Sequence, residues 1–201
     1  MTEISYVLLA AELQHLTYRV QTQFFFTSLN SIYALVEINP RRALDVIHRL
    51  SKLMRYLLYE ADSELVDLAL EIDFIEKYIQ LMEISQNVRV AITCDFPEKM
   101  DKKYQIAPLL FMPLVENVFK HGISACYDSK ISIRMAVEDD CIVFTTENNH
   151  YPGANYHNEA SGTGLRNLRK RLELIYPEKH VLHHQIDENI FTATLHIQLG
   201  I

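Results

Sequence analysis

Apolar residues recur at three- and four-residue intervals through the start of the chain: Leu9, Leu13, Leu16, Val20 and Phe24, then Leu29, Ile32, Leu35 and Ile38. Intervals of that size line one face of a helix and predict a long amphipathic helix over residues 3–38. Asn39-Pro40 ends it, because a residue preceding proline avoids the α region. The same periodicity resumes at Ala43, Leu44, Ile47, Leu50, Leu53, Met54, Leu57 and Leu58. Two such helices joined by a tight turn form an αα-hairpin, assigned here to residues 1–62. A third helix begins near Asp67, a suitable N-cap, and carries Leu68, Ile72, Ile75, Ile79 and Met82.

Beyond Gln86 the period changes from helical to alternating. Residues 88–94 read as a strand, 108–121 as a helix, and 130–137 with 141–146 as a hairpin around Glu138-Asp139-Asp140. Residues 148–161 are polar and aperiodic and predict a loop. Residues 164–176 form an amphipathic helix, and 181–186 and 191–199 form closing strands. This order predicts an α+β domain over residues 63–201, a two-layer α/β sandwich with helices on one face of a mixed sheet.

Composition narrows the functional classes. The 201 residues carry 26 acidic against 19 basic side chains, net −7, a poor footprint for gripping duplex DNA, so no nucleic-acid partner is expected. The longest apolar run, 106–115, falls well short of the roughly 20 residues a bilayer-spanning helix needs. Cys94, Cys126 and Cys141 lie far apart, with no export signal before them, and predict ordinary thiols in a reducing cytoplasm. His183 and His184 are adjacent, point to opposite faces of a strand, and do not chelate together.

Three segments carry chemistry. On the 108–121 helix, Asn117, Lys120 and His121 stand at i, i+3 and i+4 and share a face. An amide oxygen is a hard ligand for Mg²⁺ and an ammonium is a point charge for phosphate oxygens, so this face suits a triphosphate. Taken alone it equally fits a helix showing its polar side to water. Gly162-Thr163-Gly164 opens a helix after a polar loop, offering backbone N–H groups and a positive helix end to an anion. Glu147-Asn148-Asn149 closes a strand, where a carboxylate can accept from an exocyclic amine.

In this order the segments resemble the GHKL nucleotide-binding fold shared by histidine kinases, gyrase and heat-shock chaperones. Residues 108–122 (PLLFMPLVENVFKHG) and 162–177 (GTGLRNLRKRLELIYP) look like the N box and G box of LytS/YehU-like sensor histidine kinases, and the likeness spans residues 11–200. The resemblance implies ATP and Mg²⁺ as cofactors. It assigns nucleotide contacts to Asn117, Lys120, His121, Glu147, Asn148, Gly162, Gly164, Leu165 and Arg166, with Asn117 also serving the Mg²⁺ through the nucleotide. It further implies a homodimer through the N-terminal helices and a response regulator or a second histidine kinase as partner. The location it implies is cytoplasmic, family members usually being tethered to the inner membrane by upstream segments.

The chain departs from that family at telling positions. The family's phosphoacceptor histidine sits in a Pro-His-Phe-Leu-Phe-Asn-Ser-Leu-Asn motif; the matching residues 22–30 read TQFFFTSLN, placing Gln23 at the histidine position. An amide has no nucleophilic nitrogen. His15 lies eight residues upstream, about 12 Å along a helix, and is no substitute. The family's Asp-Asn-Gly becomes Glu147-Asn148-Asn149, an Arg at the end of the third helix becomes Ser85, and the general-base position of ATP-hydrolysing relatives holds Pro113. The expected protein is a two-component signalling core that binds ATP–Mg²⁺ without phosphorylating itself at the usual site. Its alternatives are a kinase acting on a partner in trans and an interaction module whose nucleotide site has decayed.

Overall fold

A computed structural model describes residues 26, 28–30, 32–59, 61, 63–85, 89–100, 102–124, 126–151 and 163–199. The chain divides into two compact units, one of residues 1–87 with 105–109, the other of 88–104 with 110–201.

In the first unit, residues 32–38 are helical and Asn39 interrupts them. Helix α1 (Pro40–Tyr59) follows. The Asn39 Oδ1 accepts from the Arg42 N–H at 3.1 Å, a side-chain N-cap, and Pro40 occupies a first-turn position that needs no N–H partner. Ala43, Val46, Leu50, Leu53 and Leu57 are buried and face α2 (Leu68–Ser85). Tyr56 and Phe74 pack across the pair with ring centroids 4.7 Å apart.

A two-residue strand before α2, β1 (Val66–Asp67), pairs antiparallel with β3 (Gln105–Ile106). The fully buried Glu71 fastens this return segment: its Oε1 accepts from the Leu109 N–H at 2.7 Å and from the Tyr56 hydroxyl. These long-range ties draw α2 and residues 105–109 into one unit with α1.

The second unit is a five-stranded sheet in the order β2-β4-β5-β7-β6. Here β2 is Val90–Asp95, β4 Ser129–Glu138, β5 Cys141–Asn149, β6 His180–Asp187 and β7 Ile190–Gln198. Among the described residues only the β2–β4 pair is parallel. The β4–β5 hairpin turns at Asp139-Asp140, both at positive φ (48° and 60°), as a two-residue turn matched to strand twist requires. Lys102 braces this turn through an ion pair with Asp140 and lies 5.5 Å over the Tyr104 ring.

Helices α3 (Met112–His121) and α4 (Thr163–Ile175) complete the unit. Ile131, Ile133, Ile142, Phe144, Leu195 and Ile197 of the sheet are buried with Leu114, Val115 and Val118 of α3 and Leu168 and Leu172 of α4. Phe111 and Phe144 meet at 4.7 Å. Helix α3 begins at Met112, not at Pro108, because Leu109 takes a φ of 57° that no continuing right-handed helix allows. Among the described residues no helix is long and apolar enough to cross a membrane.

Candidate functional site

Helix α3 organises the site. Its first turn closes with Leu114 and Val115 both donating to the Phe111 carbonyl, at 3.0 and 3.2 Å, and Pro113 sits where a missing N–H costs least. Residues 112–115, 118 and 119 are buried. Glu116, Asn117 and His121 are half-buried and Lys120 is exposed. The polar stripe expected from the sequence is thus the less buried side of a helix whose other side is in the core.

Two titrations on this helix are displaced. Burial raises the Glu116 carboxyl to about 7, against a smaller opposing pull from Lys120 one turn on. Burial also lowers the His121 imidazole, assisted by the positive charge of Lys120 and by His150. Each shift widens the pH range over which its side chain is neutral.

The helix ends at Gly122, whose N–H donates to the Val118 carbonyl at 2.8 Å. Glycine is required here for space rather than for backbone freedom, since its φ is −90°. A Cβ at this position would lie 2.5 Å from the Asn148 Cβ and 2.6 Å from the Val118 oxygen. The end of α3 therefore presses directly on the end of β5.

The residues at the end of β5 separate by face. Ile142, Phe144, Thr146 and Asn148 are buried, and Phe144 and Asn148 meet Phe111 and Gly122. Successive strand side chains alternate, so Glu147 points to the opposite face of the sheet. There its carboxylate binds Arg134 at 2.6 Å. The carboxylate expected from the sequence to accept from an exocyclic amine is thus placed on the sheet face away from Gly122, paired with Arg134. The polar side chain on the α3 side is Asn148, only 2% exposed. Its Nδ2 donates to the Asn149 carbonyl at 2.7 Å, and the Asn149 Oδ1 accepts from the Lys130 N–H at 2.6 Å.

Of the glycine-loop residues, Gly164, Leu165 and Arg166 lie in the first turn of α4, with Gly164 and Arg166 exposed. A Cβ on Gly164 would meet nothing within 4 Å. Gly162 and Gln23 lie outside the described residues. The structure thus brings Asn117, Lys120, His121 and Asn148 to α3 and the strand end it contacts, with Glu147 on the other face of the sheet. It also singles out Glu116, Thr146 and Gly122, which the sequence reading passed over. Strict alternation through Ile142, Phe144, Thr146 and Asn148 was the available signal for the last strand position.

Comparison with known proteins agrees with this architecture. The family model described as histidine kinase matches residues 11–90. The sensor histidine kinase YpdA of Escherichia coli K12 is 29% identical over 184 residues, covering 84% of this chain and 31% of that protein. The sensor histidine kinase/phosphatase LytS of Staphylococcus aureus MRSA252 is 28% identical over 86% of this chain and 32% of its own length. The chain thus spans about a third of the curated relatives it matches.

Among solved structures, the histidine kinase domain of the Erythrobacter litoralis EL346 blue-light activated kinase superposes with a TM-score of 0.51 and 12% identity, over 96% of this chain and 93% of that one. The catalytic domain of histidine kinase ThkA does so at 0.50 and 17% identity, over 68% and 97%. These superpositions show the fold, an α+β sandwich of the histidine-kinase catalytic type. Over most of its length the chain is similar in sequence to LytS-like sensor histidine kinases, and its fold is that of their catalytic domains.

Proposed function

We propose that this chain is a dimerising, ATP–Mg²⁺-binding core of a two-component signalling protein that does not phosphorylate itself at the usual position. The observation that carries the reading is Gln23 at the phosphoacceptor position of a chain that keeps Asn117, Lys120, Gly162 and Gly164. Burying most of α3 while leaving Asn117 half-buried and Lys120 exposed supports a ligand-facing role for that stripe. The donor set suits the group: the Asn117 amide oxygen is a hard ligand for Mg²⁺, and Lys120 and Arg166 supply charge for phosphates. No cluster of three or more His, Cys, Asp or Glu able to hold a metal occurs among the described residues, so the ion would arrive with the nucleotide. When bound, ATP supplies a transferable phosphoryl group; the chain's residues bind and orient it.

Dimerisation finds support on α1. Its buried seam runs through 43, 46, 50, 53 and 57, and a second seam with the same three-four spacing runs beside it through 44, 47, 51, 54 and 58. Leu44, Ile47 and Leu58 of that seam are exposed. Such spacing suits helix-to-helix packing against another copy. A response regulator, or a second histidine kinase joined in a heterodimer, completes the proposed cytoplasmic assembly.

A thermal-shift titration with Mg-ATP tests the binding half, since a ligand taken only by the folded state raises stability by mass action. Incubation with γ-labelled ATP tests the other half: the expected result is no acid-labile phosphate on the protein, and its appearance refutes the reading. Asn117→Asp is expected to weaken Mg-nucleotide binding while the circular dichroism spectrum stays unchanged. A chain that binds no nucleotide but still dimerises would instead be an interaction module.

A further inference from the structure

One edge of the five-stranded sheet is left open. Among the described residues β6 pairs with β7 alone, as the last strand of the sheet. The Gln198 N–H of β7 donates to the Lys179 carbonyl at 2.8 Å, and hydrogen-bonded pairs alternate along an antiparallel ladder. Lys179, Val181, His183, Gln185 and Asp187 therefore turn their backbone polar groups toward β7. His180, Leu182, His184 and Ile186 turn theirs outward, where the sheet has no further strand. Proteins ordinarily blunt such an edge with lysine, proline, a bulge or sheer shortness. None of these protects β6: residues 180–187 read HVLHHQID, and the register runs unbroken from His180↔Ile197 to Asp187↔Ile190. The opposite edge strand, β2, is only 6 residues long and has Pro97 just past its end.

We propose that the β6 edge docks a second copy of this chain, the two β6 strands pairing antiparallel about a two-fold axis and joining the sheets edge to edge. Charge complementarity selects this occupant. The strand is entered by Lys179 and closed by Asp187, both exposed and neither in an ion pair among the described residues. A strand laid antiparallel on itself with His183 at the centre sets the Lys179 of each copy opposite the Asp187 of the other. Because the backbone of both residues faces β7, they form a non-hydrogen-bonded pair in the new ladder, where side chains approach most closely. The outward-turned residues supply the new hydrogen bonds, Leu182 with His184 and His180 with Ile186. Val181 and Ile186, both exposed on this strand, gain cover. A single strand pair makes a small interface of the weak, transient class, separate from the helical seam of α1 in the other unit.

The test is sedimentation of the full chain at pH 8 over protein concentrations from about 1 to 500 μM, the span in which a weak interface closes. The sedimenting mass is expected to double as concentration rises. Ile47→Glu, monomeric when dilute, is expected to double likewise, which separates this contact from the α1 seam. Lys179→Glu and Asp187→Lys each set like charges opposite one another twice and are expected to weaken the doubling ~10-fold or more. The double variant Lys179→Glu/Asp187→Lys restores opposite charges and is expected to recover it. His184→Pro removes an outward N–H while leaving the ladder to β7 intact, a place where an edge strand tolerates proline, and is expected to abolish the doubling. Should His184→Pro lose its circular dichroism signal, the three charge variants decide. A native chain that never doubles overturns the assignment and leaves the edge to an extended segment of another protein. Doubling that ignores both charge reversals, or that the double variant fails to recover, overturns it as well.

Discussion

Replacing Glu116 by glutamine isolates the consequence of a buried carboxyl on the helix that organises the site. Burial raises this group from 4.5 to about 7 in the folded protein, whereas the unfolded chain returns it to its ordinary value. Between those two values the folded state holds a proton that the unfolded state has released. Stability therefore falls as pH rises, and the favourable state is the acidic one. Above both values the penalty amounts to about 3 kcal/mol, and near pH 4.5 it shrinks to about 0.5 kcal/mol or less.

Glutamine has the shape of the protonated acid and never ionises, so Glu116→Gln removes the penalty. Urea unfolding followed by circular dichroism, with both proteins at about pH 4.5 and 8, reads the difference directly. The expected result is near-equal stability in acid and a variant more stable by about 3 kcal/mol in base. Titration of His121 and of every other group is common to both proteins and cancels. A difference that stays constant across the range, or a native protein favoured at the higher pH, would mean that Glu116 is ionised in the fold and the reasoning is wrong.

Other perturbations follow from geometry already described. Gly122→Ala forces a methyl group against Asn148 and the Val118 carbonyl and should cost about 1–3 kcal/mol, the usual range for overpacking, measured by the shift in urea midpoint. Tyr56→Phe removes one of the donors to the buried Glu71; a loss of about 1.5–3 kcal/mol is expected, and an unchanged midpoint would deny that hydrogen bond any stabilising role. Ile47→Glu places a charge on the exposed seam of α1. Sedimentation should show a monomer while the helical signal is kept, and a persistent dimer would move the interface elsewhere.

The elements of both units were legible where their periodicity was strong. The apolar spacing of residues 43–58 marks α1, and the alternation in 130–137 marks β4 close to where it lies. Local signals failed where a distant partner decides. Pro108 looks like the start of a helix, yet Leu109 is held at positive φ with its N–H bound by Glu71, 38 residues away in sequence. Nothing local marks β1 and β3 as a pair. At the end of β5 the residue types were recognised but the face was not: treating 148 as the first residue of a loop hides that its side chain continues the buried series begun at Ile142. Chemistry favoured Glu147 because a carboxylate is the stronger acceptor. Strand geometry sets that side chain on the face where it meets Arg134.

The path of the polypeptide between the units also limits how the protein can be dissected. The chain leaves the first unit after residue 87, returns to it at 105–109, and leaves again. No single scission yields two whole pieces. Cutting near residue 87 leaves β1 without β3 and Glu71 without the Leu109 N–H; cutting near 110 strands β2 on the wrong fragment, away from β4. An intact second unit therefore requires two cuts and a graft across residues 105–109. Limited proteolysis at either junction should release fragments that remain associated until denaturant is added.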